Sequence, residues 1–178
     1  MTHTEQLLAR VADEARAIRP WGWDALPAPA DADTLARAEA SLGFALPPLL
    51  AALYTRVGDG GFGPEYGLLS LLEGKSSGGE PAVVEKYLAL RAADEGWPEG
   101  VLPISHWGCA MYACVDCRTD DAQVLLYEPN GGDARNAWFV DAPSLTTWLT
   151  TWLDGTGWYE EDNDDVDLPS WRDARLPA

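Results

Sequence analysis

Basic residues are scarce in this chain. Its 178 residues hold 12 lysines and arginines against 29 aspartates and glutamates, a formal net charge of -17 and a pI near 4.2. A field of that sign repels nucleic-acid phosphates and anionic membrane surfaces, so neither is an expected partner. It favours a basic protein surface, and by itself it also serves solubility. Long apolar runs are missing too, none approaching the roughly 18 residues that a membrane span requires. Glu5, Asp13 and Glu14 interrupt the stretch where a secretory signal needs continuous apolar residues, so a chain without such a signal is expected. Cysteine is limited to Cys109, Cys114 and Cys117, an odd number crowded within nine positions. That is a poor disulfide framework and fits a reducing compartment, so a cytoplasmic location is expected. Of the two histidines, His3 stands at the terminus, which leaves His106 as the one candidate general base, with no identifiable partner. No G-x-S-x-G is present, and an enzyme is not expected.

Hydrophobic residues, by contrast, make up 47% of the chain, enough for a core that needs neither metal nor disulfide. Thr2 and Glu5 have the spacing of a capping box, with Leu7, Leu8, Val11, Ala15 and Ile18 following at helical intervals up to Pro20. Asp31 or Asp33 can cap a second helix through Leu35, Ala38 and Leu42, stopped by Gly43. Pro47 and Pro48 open a third, with Leu49, Leu50, Leu53, Tyr54 and Val57 on its buried face. Tyr66 to Leu72 reads as a short strand, and Pro81 starts a fourth helix that Gly96 closes. Strand-like runs follow at Val101 to Ser105, Met111 to Asp116, Gln123 to Tyr127 and Trp138 to Val140. Between them lie turns at Arg118 to Ala122 and at Asn130-Gly131-Gly132-Asp133. Leu145, Trp148, Leu149, Trp152 and Leu153 share one face of a last helix, from about Pro143 to Asp154. Helices first, consecutive strands next and a helix to finish predict an α+β fold, a largely antiparallel sheet of about four to six strands flanked by helices. The expected division is a body over residues 1–154 and a tail over 155–178.

That tail is unlike the rest. From Asp154 to Asp173 it carries eight acidic residues and one basic. Trp158, Tyr159 and Trp171 are interleaved with Glu160, Glu161, Asp162, Asp164, Asp165 and Asp167. Two readings stand side by side: the rings fold back onto the body, or they join the acids as anchors for a partner protein. These nine residues are the candidate partner-binding set. The acids do not make a calcium loop, since Leu168 replaces the required glycine and no glutamate stands at the twelfth place.

Several landmarks occur in a particular order. Leu46-Pro47-Pro48 opens a helix with Leu50, Leu53 and Tyr54, and Gly58-Asp59-Gly60-Gly61-Phe62-Gly63 follows. Then come Tyr66-Gly67-Leu68-Leu69-Ser70-Leu71, Leu102-Pro103-Ile104 with Gly108 after it, and Tyr112-Ala113-Cys114-Val115-Asp116. The chain resembles the SUKH superfamily over roughly residues 30–153. The resemblance implies an α+β fold and a non-catalytic, partner-binding role. It implies most directly an immunity protein that neutralises a cognate bacterial toxin of nuclease or deaminase type, and alternatively a regulatory scaffold that binds a host protein. It transfers no active-site residue and no interface. Where members often carry acids before the central hairpin glycine, this chain has His106-Trp107.

The physical reading of Gly58, Gly60 and Gly61 is a sharp exit from the third helix by positive φ. A phosphate cradle is not expected, because no G-x-x-x-x-G-K-[ST] is present. His106, Cys109, Cys114 and Cys117 form H-x2-C-x4-C-x2-C, and both residue types are zinc ligands. Cys114 and Cys117, however, fall in a strand, where positions three apart face opposite sides. Thiols held in or near the core are therefore expected, with neither metal nor cofactor.

Overall fold

The structure, a computed structural model, describes residues 1–74, 76–93, 96–132, 136–161 and 166–172. Among these residues the helices are α1 (His3–Ala17), α2 (Ala32–Leu42), α3 (Pro48–Arg56), α4 (Val83–Ala93) and α5 (Leu145–Asp154). The strands are β1 (Val101–Gly108), β2 (Met111–Asp116), β3 (Val124–Tyr127) and β4 (Trp138–Ala142), in sheet order β1-β2-β3-β4 with every neighbour antiparallel. The fold is α+β, with four strands in the sheet.

Local chemistry sets the helix ends. The Thr2 hydroxyl accepts the Glu5 N–H at 3.2 Å, and the Asp31 carboxylate accepts the Thr34 N–H at 2.8 Å, each satisfying a donor that has no partner within its helix. Ser144 does the same for Thr147 at 3.0 Å. Gly43 and Gly155 close α2 and α5 in the left-handed region, at φ 83° and 64°. α4 begins at Val83, two residues after Pro81, and buries Val83, Val84 and Tyr87, while Leu88 faces solvent.

One core joins the layers. Leu7, Leu8 and Val11 of α1, Leu50, Leu53 and Tyr54 of α3, and Leu145, Trp148 and Leu149 of α5 pack with Val101, Leu102, Ala113, Val115 and Val124 of the sheet. α1 lies against α3 and α5, α4 against β1 and α2, and α5 against β4. Arg56 forks onto the Glu5 carboxylate at 2.9 and 2.7 Å, and Arg10 reaches Asp154 at 2.6 Å, at the ends of these contacts.

Both outer edges of the sheet are covered by segments that are not strands. On the β1 side the expected strand from Tyr66 to Leu72 reduces to a single bridge, Leu68 with Ser105, beside a Leu69 N–H to Ile104 O bond of 2.8 Å. The cause is Gly67: at φ 75° it bends the chain, and the Ser105 hydroxyl donates to its carbonyl at 2.8 Å. On the β4 side Ser170 bridges Phe139, with Val140 N–H to Pro169 O at 2.8 Å and Trp171 N–H to Trp138 O at 2.9 Å. Unpaired edges template aggregation, and both covers remove that hazard.

The exit from α3 departs in one detail from the sequence reading. Gly60 and Gly61 take positive φ, 82° and 75°, but Gly58 does not. Gly58 is small for a different reason: a Cβ there would lie 2.9 Å from the Leu26 side chain.

Candidate partner-binding surface

The tail begins where Gly155 turns the chain out of α5. Trp158 and Tyr159 then lay their rings against Trp107 of β1, with centroid separations of 5.2 and 4.9 Å, and contact each other at 5.7 Å. Trp107 is the residue at which the β1–β2 pairing slips, between His106 and Gly108. Such a bulge re-aims a side chain, and here it accompanies an indole on which the tail rests. All three rings remain partly accessible.

Beneath this cluster is Asp141 of β4. The Trp148 indole N–H donates to its carboxylate at 3.2 Å. The Trp158 indole N–H is buried close to the same carboxylate without reaching hydrogen-bond geometry, and both indoles act against the upward shift of its pKa. Burial outweighs them and pushes the Asp141 carboxyl up to about 6. Burial also raises the Tyr159 hydroxyl, with smaller contributions from the charges of Asp141, Glu160 and Glu65.

Further along, Trp171 packs on Trp138 at 5.6 Å, continuing an aromatic row formed by Trp97, Tyr127 and Trp138. The candidate set is thus divided by role. Trp158, Tyr159 and Trp171 hold the tail on the sheet, Glu161 and Asp167 are exposed, and Glu160 is partly so. Asp162, Asp164 and Asp165 lie outside the described residues.

The H-x2-C-x4-C-x2-C array is dispersed. Cys109 is exposed at the hairpin tip, Cys114 is buried in β2, and Cys117 is partly buried just beyond it. Among the described residues no three His, Cys, Asp or Glu side chains are grouped to hold a metal ion. His106 stacks on Tyr66, with centroids 4.6 Å apart and planes 20° from parallel. From the sequence Tyr66 reads as a strand residue only. The structure shows it joined to Trp21 as well, edge to face at 5.5 Å, and Trp21 is 69% exposed. The composition of Trp21-Gly22-Trp23 signals a loop, but not which ring faces water. Among the described residues no helix is long and apolar enough to cross a membrane.

The arrangement of α2 to α5 around a four-stranded meander can be set against known families. The model of the SMI1 / KNR4 family (SUKH-1) matches residues 29–151, more than half of the chain. The chain belongs to this family. No curated protein matches it. Membership makes the chain, at family level, an immunity or regulatory protein-binding module, in a family that is generally non-catalytic. The matched region ends at Thr151, before Trp158, Tyr159 and Trp171, and begins after α1 and Trp21. In this SUKH-1 protein the aromatic tail and the Trp21 turn thus lie outside the matched residues.

Proposed function

We propose that this SUKH-1 protein is an immunity protein that binds a basic bacterial toxin domain of nuclease or deaminase type in the cytoplasm and covers its substrate groove. The observation that carries the reading is the net charge of -17 on a chain whose family binds proteins. A toxin that grips nucleic acid presents a cationic groove, and an acidic cover of this kind is steered toward it. The tail suits such a role, because its rings pack on β1 and β4, and Glu160 and Glu161 directly follow the anchored Trp158 and Tyr159. Pre-ordering of this kind reduces the entropy lost on association.

The test screens the chain against nuclease and deaminase toxin domains, beginning with any that a neighbouring gene encodes. Co-expression should rescue growth, and the two should bind with an association rate that falls steeply with salt, since exposed charges are screened beyond about 8 Å at physiological ionic strength. Replacing Glu160, Glu161 and Asp167 by Gln, Gln and Asn should slow association several-fold without changing the melting temperature by more than a few degrees. No rescue, together with stable capture of a host protein, would instead favour the regulatory-scaffold reading.

A further inference from the structure

We propose that Trp21, Tyr66 and Glu65 form a seat for a cationic side chain, arginine above all, on the protein partner. The partner's basic character rests on the reading just given; the seat itself rests on geometry. Trp21 keeps 69% of its surface exposed, yet its position is fixed. Gly22 turns at φ 84°, and the Trp23 N–H returns to Pro20 O at 3.3 Å. The Trp23 indole N–H donates to Tyr66 O at 2.9 Å, locking this turn to the segment between α3 and α4. Pro20 lies so close to Gly67 that a Cβ there would come within 2.8 Å of it. The Trp21 ring meets Tyr66 edge to face at 86°, and Tyr66 is backed in turn by the buried His106. A solvent-facing indole on so rigid a support is preorganised for contact.

Charge decides what it contacts. Of the acids in the two segments that meet at this turn, Asp31 caps α2, Asp59 accepts the Leu71 N–H, and Asp33 and Glu73 face Arg37, so that Asp24 and Glu65 are the acids closest in sequence to Trp21 and Tyr66. Arg19, next to the turn, bends back to the Ala15 and Ile18 carbonyls at the end of α1. Glu65 is exposed, directly precedes Tyr66, and is held at φ 50°, a strained conformation for a side-chain-bearing residue. Its charge is also felt by the Tyr159 hydroxyl, so it lies towards the tail cluster as well. An indole face beside carboxylates attracts a guanidinium by cation–π and ionic contact together. Tryptophan is also the side chain most enriched among energetic anchors of interfaces.

The experiment titrates the full-length 15N-labelled chain with the peptide acetyl-Gly-Arg-Gly-amide and with its uncharged citrulline analogue, following indole and amide resonances. The arginine peptide should shift the Trp21 indole and the amides of residues 65–67 saturably, and the citrulline peptide should not. Trp21→Ala, exposed and therefore expected to fold normally, should abolish the response, and Glu65→Gln should weaken it several-fold. Equal shifts from both peptides, or shifts confined to the tail acids, overturn the seat. With a toxin domain that the parent chain binds in that screen, Trp21→Ala should weaken binding about tenfold or more. If the toxin binds both forms equally, the seat fails while the immunity reading stands. If the peptide maps to Trp21 but no toxin binds, the immunity reading fails while the seat stands.

Discussion

The guanidinium of Arg118 lies over the ring of Trp171, 5.7 Å from its centroid, while it is forked onto Asp116 by bonds of 2.7 and 2.8 Å. The end of β2 thereby grips the tail next to its contact with β4. Asp116 keeps only 7% of its side-chain surface in water, so the pair is well shielded. Trp171→Ala removes both the cation–π contact and the packing on Trp138. For a partly buried tryptophan the expected loss is about 2 kcal/mol, below the roughly 3–5 of a fully buried one. In a protein of this size that lowers the melting temperature by about 4–8 °C. Arg118→Ala should cost at least as much, because it takes the guanidinium from the shielded Asp116 carboxylate and leaves it the backbone N–H of residue 118. A thermal scan in which both variants match the parent would show that the tail contributes nothing at this point.

The three thiols should differ in reactivity. Cys109 is exposed, at φ 49°, in the hairpin tip. Burial pushes the Cys114 thiol far above its ordinary value. It pushes Cys117 up to about 12, with the Asp116 charge adding to the rise and Arg118 partly offsetting it. The thiolate is the reactive form. A disulfide reagent should therefore titrate about one thiol per native chain quickly and all three only after unfolding. Fast reaction of two or three thiols in the native protein would contradict this burial.

Two glycines with nearly the same φ separate strain from collision. Gly43 at 83° has nothing within 4 Å of a built Cβ, whereas at Gly60, at 82°, a Cβ would stand 2.7 Å from the Leu68 carbonyl oxygen and 2.8 Å from the Leu69 carbonyl carbon. Gly43→Ala should cost only the left-handed penalty, about 1–2 kcal/mol. Gly60→Ala adds a clash with backbone that has no rotamer to yield, and should cost clearly more, to the point of poor folding. Denaturant midpoints that fall equally for the two would remove the close approach as the reason for glycine at 60.

Helix positions are legible in the sequence because their signals are local: Thr2, Asp31, Gly43 and Pro48 act within one turn, and all four sit at helix ends. β2 coincides with its apolar run, from Met111 to Asp116. The Tyr66–Leu72 run is ambiguous because apolar character reports burial, which Leu68, Leu69 and Leu71 do have, and not ladder pairing, which Gly67 interrupts. The tail's acids and rings are visible in composition. Their seats are not, because Trp107, Trp138 and Arg118 lie far away in sequence. The same holds for Trp21, whose support by Tyr66 and His106 spans three separate segments.

Asp141 offers a test of how tightly the tail is seated. Its carboxyl lies against Trp148 of α5 and near Trp158 and Tyr159 of the tail, and burial raises it to about 6 from an ordinary 3.8. A carboxyl raised on folding binds its proton more tightly in the native state than in the unfolded one. The penalty of the charged form is therefore complete above about pH 6 and fades as pH falls from about 6 towards 4. A tenfold change in proton affinity corresponds to about 1.4 kcal/mol, so the full penalty is on the order of 2–3 kcal/mol. Asp141→Asn keeps an oxygen for the Trp148 indole but removes the charge. It should raise the melting temperature at pH 7.5 by several degrees and give no gain near pH 4. The remaining acids also lose charge over this range and relieve the general repulsion of a chain at -17, so the parent alone cannot isolate the effect. The difference between parent and variant can, because the other acids are common to both. A difference independent of pH between 4 and 7.5 would show that the site is open to water and that Trp158 and Tyr159 do not close over it.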